Sequence, residues 1–169
     1  MTDGAASTAT SNKESLLSAD LQVKVNAAKQ TYLAAKYADA RQQNQGLKRY
    51  FDANGPMLWR LRYARYAAVA AYRCGDLANS ETGFRAAARL AEIAGNDEQT
   101  IFALNHLGNT IRSLGRIDEA ERVFARGAAL AQATGCLQGH LRIAGSLGAL
   151  LDHIGDVDGA VTPYEEYLS

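Results

Sequence analysis

Cysteine, proline and tryptophan are scarce in this chain, and neither sign of charge is in excess. Its 169 residues include 2 Cys, 2 Pro and 1 Trp, with 18 basic residues against 18 acidic ones. The two cysteines, Cys74 and Cys136, have no metal-ligand spacing and make no disulfide framework. A reducing cytoplasm is the compartment expected from them. Charge neutrality removes any whole-molecule field that would draw in nucleic acid or an acidic membrane, so electrostatic selectivity must come from local arrangement. No apolar run approaches the roughly 18 residues of a membrane-spanning helix. The opening stretch from Met1 to Thr10 lacks both the basic start and the apolar core of a secretory signal. Its small polar residues cannot offset ordering entropy, so residues 1–11 are expected to be a disordered lead and 12–169 a single domain.

The groupings that carry catalysis are also missing. His106, His140 and His153 have no partner glutamate at zinc spacing. The chain has no glycine-rich strand-to-helix loop to cradle phosphate, no serine elbow, and no cysteine with a base evident in the sequence. The expectation is a protein with no reaction of its own, no metal and no cofactor.

What the chain does have is a period. Gly75, Gly115 and Gly155 stand forty residues apart, and each opens a similar phrase: Gly75-Asp76-Leu77-Ala78, Gly115-Arg116-Ile117-Asp118, Gly155-Asp156-Val157-Asp158. A worn copy, Ala35-Lys36-Tyr37-Ala38, lies one period earlier. A fixed period of this size means stacked supersecondary units, each burying its apolar face against its neighbours. Units beginning at Leu21, Leu61, Ile101 and Leu141 align without gaps. The seventh column (Ala27, Ala67, Leu107, Leu147), the eighth (Ala28, Ala68, Gly108, Gly148) and the eleventh (Thr31, Ala71, Ile111, Leu151) fall on one helical face and are assigned to the core. The twentieth is small again (Ala40, Ser80, Ala120, Ala160), and the twenty-fourth supplies a ring (Phe84, Phe124, Tyr164), except that the first unit has Asn44. Cys74 shares a column with Ala34, Leu114 and Ile154 and is expected to be a small core residue.

This alternation of small, large, small and aromatic positions over residues 21–169 resembles the tetratricopeptide repeat, a helix-turn-helix unit normally of about 34 residues. The longer period resembles the variant found in kinesin light chains, G-protein-regulator scaffolds and the sensor arms of bacterial regulators. Asn105-His106-Leu107-Gly108-Asn109 followed by Leu114-Gly115 is similar to the Asn-Leu-Gly-Asn phrase of that group. The resemblance implies an all-α solenoid of about four units, wound as a right-handed superhelix. Eight helices are expected, at about 12–35, 37–53, 57–73, 77–94, 97–113, 117–134, 138–153 and 157–168. Ser11-Asn12-Lys13-Glu14 fits a capping box ahead of the first. Asn54-Gly55-Pro56 fits a stop and restart, and Asn96 fits a cap with Gln99 at the third helical position.

In such a stack the first helix of each unit lines the concave face. Columns 2, 5, 9, 12 and 13 are expected to be open, with column 6 beside them. They bring together Arg62, Arg65, Arg73, Arg112 and Arg142 against one acid, Asp152, while Glu81, Glu92, Asp118, Glu119 and Glu121 fall in second helices and turns. The guanidinium fork suits carboxylates and phosphates, and an asparagine amide can pair with an extended backbone. By resemblance, Asn105 and Asn109 would orient a bound peptide while Arg65, Arg73 and Arg112 meet its acidic groups. Arg62, Tyr66, Tyr72 and His153 complete the expected groove. The bland readings stand beside this one: Arg60, Arg62 and Arg65 also fit a solvated helix face, and Tyr66 and Tyr72 fit packing.

The last helix would leave Val161, Tyr164, Tyr167 and Leu168 without a covering element, which points to association through that end, with another protein or another copy. The first reading is therefore a scaffold or adaptor holding an acidic peptide of a partner protein in its groove. The alternative is a non-catalytic subunit of a larger complex, held through the C-terminal repeat. An RNA reader is disfavoured, because Gly145 and Asp152 interrupt the basic track that it would need.

Overall fold

The computed structural model describes residues 18–153, which form seven α-helices with no strand among the described residues. They are α1 (Ala19–Leu33), α2 (Tyr37–Asn54), α3 (Met57–Arg73), α4 (Leu77–Ile93), α5 (Asp97–Ser113), α6 (Ile117–Ala133) and α7 (Leu137–His153). Each packs on its neighbours in the chain, and α5 also packs on α7, so first helices of successive units lie side by side. This is an α-solenoid. The expected helix at 157–168, the column members Ile154, Ala160 and Tyr164, and the capping box at Ser11 lie outside the described residues.

The joints explain the glycine beat. After α3 the N–H of Gly75 donates to the Tyr72 carbonyl and that of Asp76 to Ala71; after α5, Gly115 donates to Arg112 and Arg116 to Ile111. This closing pattern requires a left-handed residue, and Gly75 and Gly115 have φ of 74° and 77°. The same two bonds close α1, from Ala35 to Tyr32 and from Lys36 to Thr31. Here Ala35 is driven to φ 57° and is the only non-glycine at positive φ among the described residues. Between units, Gly55 behaves differently. It ends α2 in an extended conformation, and Pro56 caps α3 from just outside it. Asn96 accepts from the Gln99 N–H at 3.1 Å, as its position in the sequence implies.

The core follows the columns. Phe84, Phe124, Ala40, Ser80, Ala120 and Ile111 have no measurable exposure. Small residues are needed where rings press: a Cβ added to Gly108 would come within 2.5 Å of the Phe124 ring. Emptying such a ring site costs about 3–5 kcal/mol. Three assignments need correcting. Cys74 is exposed, because its column caps the helix one residue before the left-handed turn and its side chain leaves the packed face; Leu114, in the same column, is exposed as well. Ala27 is exposed, since unit one has no preceding described unit to cover that side of α1. Val25, expected on the open face, is buried in a cluster with Leu21, Leu47, Phe51, Trp59 and Tyr63. That cluster is dominated by stacked rings, with Phe51 5.1 Å from Trp59 and 5.0 Å from Tyr63.

Candidate functional site

The first helices of units two and four, α3 and α7, carry arginines that rest on rings. The Arg62 guanidinium lies 4.6 Å from the Trp59 ring centre, and Arg73 lies 5.7 Å from Tyr37. Arg65 sits between two rings, 5.2 Å from Tyr66 and 4.7 Å from Phe102, and donates to the Gln99 side-chain oxygen at 2.7 Å. Arg142 approaches Phe102 from α7 at 5.9 Å. An arginine laid flat on a ring keeps the edge of its fork available for an anion. Among the described residues, Arg65, Arg73, Arg112 and Arg142 have no carboxylate within ion-pair distance.

His106 marks the centre of this field. Its ring lies 4.3 Å from Phe102 and stacks on Phe84 at 5.2 Å. Burial first, then the charges of Arg142, Arg65 and Arg73, push its pKa down from 6.5 to about 4. Three guanidinium groups from two helices therefore raise the potential at one point on a third helix.

The outer helices differ. Arg85 pairs with Glu81 at 2.7 Å and Glu119 at 2.6 Å, and Arg116 pairs with the same two acids at 2.8 and 2.5 Å. Arg126 reaches Glu92 at 2.5 Å. Hydrogen bonding from Arg116, joined by Arg85, holds both Glu81 and Glu119 below the usual carboxylate range. These charges are consumed in joining unit two to unit three. Arg41 likewise pairs with Asp76 across units one and two.

The structure places the asparagines deeper than the alignment implies. Asn105 is 5 % exposed, and its side-chain oxygen is buried without a hydrogen-bond partner among the described residues. Asn109 donates to the Asn105 carbonyl and to the Ser146 hydroxyl, both at 3.0 Å, and so ties α5 to α7. Tyr72 approaches Ser113 at 3.3 Å, linking α3 to α5. Tyr66 is half-buried edge-on to Tyr63, and Arg112 is half-buried on α5. The side chain of His153, at the end of α7, lies outside the described residues, as do Val161, Tyr164, Tyr167 and Leu168.

A cleft of ≈ 340 Å³ opens between α1 and α3, lined by Val25, Asn26, Ala28, Lys29, Tyr32, Leu33, Asn44, Arg62, Tyr63 and Tyr66. The alignment puts several of these on the open face but gives Asn44 only as a missing ring. Phe102, His106 and Arg142 also fall on that face in the alignment and were left out of the expected groove; their contact across units is what makes them central. No trio of His, Cys, Asp or Glu is placed to hold a metal among the described residues. No described helix is long and apolar enough to cross a membrane.

Fold and surface together define an α-helical repeat protein whose first helices carry a basic, aromatic-lined face. Among solved structures, the crystal structure of BtubC (BKLC) from P. vanneervenii is similar, with a TM-score of 0.66 and 17% identity. The alignment covers 87% of this chain and 63% of that one, so this chain spans less than two thirds of its length. No protein-family model and no curated protein matches the sequence. The likeness is one of fold.

Proposed function

We propose that the protein is a non-catalytic scaffold or adaptor that holds an acidic segment of a partner protein along its concave face. One observation carries this reading: Arg65 and Arg142 meet over Phe102, their charges and that of Arg73 are felt at His106, and none of the three has a carboxylate partner among the described residues, whereas the outer arginines Arg85, Arg116 and Arg126 are paired. Unspent guanidinium groups over aromatic rings suit the carboxylates of an extended peptide.

The test uses a fluorescent peptide of alternating aspartate and glutamate and measures its anisotropy on titration. Arg65→Glu with Arg112→Glu should weaken binding about a hundredfold, with the helical circular-dichroism signal unchanged. Arg85→Glu with Arg116→Glu should leave binding within about twofold. Equal loss from both pairs would mean a diffuse charge effect and would sink the groove. Unaltered binding by the first pair, together with loss of assembly on Tyr167→Asp, would favour a subunit held through residues 161–168.

A further inference from the structure

The outer side of the solenoid shows what satisfies two arginines that bridge units. Arg85 of α4 and Arg116 at the start of α6 share Glu81 and Glu119, and each acid accepts from both arginines. Two guanidinium groups there meet two carboxylates. The inner side holds a comparable pair with the acids left out. Arg65 of α3 and Arg142 of α7 approach the Phe102 ring of α5 from units two and four, to 4.7 and 5.9 Å from its centre. Neither makes an ion pair among the described residues. Exposed Glu98 lines the small cleft beside Phe102 and Arg142 without pairing with either arginine.

A group that satisfies this inner pair has to offer about two negative charges and oxygens facing two ways. A carboxylate brings one charge and a single pair of oxygens. A phosphorylated side chain carries about −1.5 to −2 charges at neutral pH and three acceptor oxygens, close to the charge that Glu81 and Glu119 supply together. Guanidinium forks match phosphate oxygens bidentately, and a guanidinium laid on a ring keeps its fork edge free. Arg65 is already positioned, since its N–H donates to the Gln99 side-chain oxygen at 2.7 Å and the Gln99 backbone N–H is held by Asn96. Arg142 stands exposed on the other side of the ring. His106, 4.3 Å from the same ring, is kept unprotonated at neutral pH by burial and then by the charges of Arg142, Arg65 and Arg73.

We infer that Arg65 and Arg142, meeting over Phe102, form a site for a phosphomonoester dianion borne by a phosphorylated side chain of the segment that the concave face binds. The inference rests on the proposed groove and adds a switch to it: phosphorylation of the partner turns a weak ligand into a tight one. One fork from α3 and one from α7 hold the phosphoryl oxygens between them, with Phe102 as the floor. The dianion bridges units two and four on the inner side as Glu81 and Glu119 bridge units two and three on the outer side.

Three labelled peptides test it, each of aspartate and glutamate around one central residue: serine, glutamate or phosphoserine. In anisotropy titrations, wild type should bind the phosphoserine peptide about tenfold or more tighter than the glutamate one, which should lie within about threefold of the serine one. Arg65→Lys and Arg142→Lys each keep the charge and lose the fork. Each should weaken phosphoserine binding about tenfold and leave the serine peptide within about twofold. Inorganic phosphate should displace the phosphoserine peptide only at concentrations about a hundredfold or more above the peptide's own Kd, because the flanking acids add contacts that the free ion lacks. Displacement at concentrations near that Kd would assign the site to a free anion and overturn a phosphorylated segment as its ligand. Equal binding of the glutamate and phosphoserine peptides to wild type, or a phosphoserine preference that survives both lysine variants, overturns the site and leaves the groove reading standing. Failure of every peptide to bind overturns the groove reading and the site with it.

Discussion

Units one and three follow the same forty-residue plan, yet they fill the same positions in opposite ways. In unit three, Phe124 occupies the space beside Gly108, and Gly115 takes the left-handed turn without strain from a side chain. In unit one, Asn44 leaves that space open, and Ala35 makes the turn with a Cβ that disfavours it. Unit three thus satisfies its packing and backbone demands from within. Unit one leaves a cleft beside Ala28 and Asn44 and makes its turn with an alanine held left-handed. Local departures from a repeat are what a binding site looks like when the scaffold around it is regular.

The widest gap between the two units should appear on deleting the ring. Phe124→Ala removes a fully buried aromatic and should cost about 3–5 kcal/mol in urea unfolding, whereas Asn44→Ala, at the matching position, should cost less than about 1 kcal/mol because the space beside it is already open. Comparable losses at the two sites would show that the cleft is closed in solution and would dissolve the contrast.

Next in size is a dependence on pH that belongs to unit three. His106 has a folded pKa of about 4 against an ordinary 6.5, so between those values the unfolded chain binds a proton that the folded chain refuses. Its stabilising contribution is complete above about pH 6.5 and fades as pH falls toward 4, by less than about 3 kcal/mol in all. His106→Phe keeps a ring between Phe84 and Phe102 and should flatten the stability profile between pH 6.5 and 4.5. The depressed carboxylates act lower. Glu81 and Glu119 stabilise above the ordinary value of 4.5 and lose that contribution as pH falls through their folded pKa values. An acidic peptide on Arg65, Arg73 and Arg142 would relieve the repulsion on His106 and raise its pKa, a shift that its NMR titration reads directly. A pKa unmoved by saturating peptide would count against these arginines as the contact.

Most of the fold was legible because a period fixes many residues at once. Once the glycines set the register, the helix boundaries from α2 to α7 and the buried columns followed from small and aromatic residues at constant offsets. Cys74 and Val25 were misplaced for a related reason: column logic assumes equivalent neighbours, but helix ends leave the packed face and the first described unit has a different neighbour on one side. The site was less legible. Arginines on first helices can be read from a sequence, but their pairing cannot, because Arg85 and Arg116 look no different until Glu81 and Glu119 are seen to bridge the units. Asn44 was visible only as a missing ring. That Asn44 borders a cleft between α1 and α3 is a fact of three dimensions.

The smallest effect sharpens the comparison most cleanly, because it involves no contact at all. A Cβ added at Gly115 would meet nothing within 4 Å, so Gly115→Ala tests backbone conformation alone and should cost about 1 kcal/mol. Ala35→Gly is the mirror experiment in unit one. The identical pair of turn bonds holds Ala35 at φ 57°, and glycine there relieves strain of about 1–2 kcal/mol while giving the unfolded chain more freedom. The net gain should be about 0.5–1 kcal/mol, read as a shift in urea midpoint with an unchanged slope. Opposite signs at two positions two repeats apart would show that a single turn geometry is imposed by the solenoid and that the first unit departs from it in residue choice. If Ala35→Gly instead destabilises, the turn after α1 is not held left-handed in solution, and the first unit is looser than its two hydrogen bonds imply.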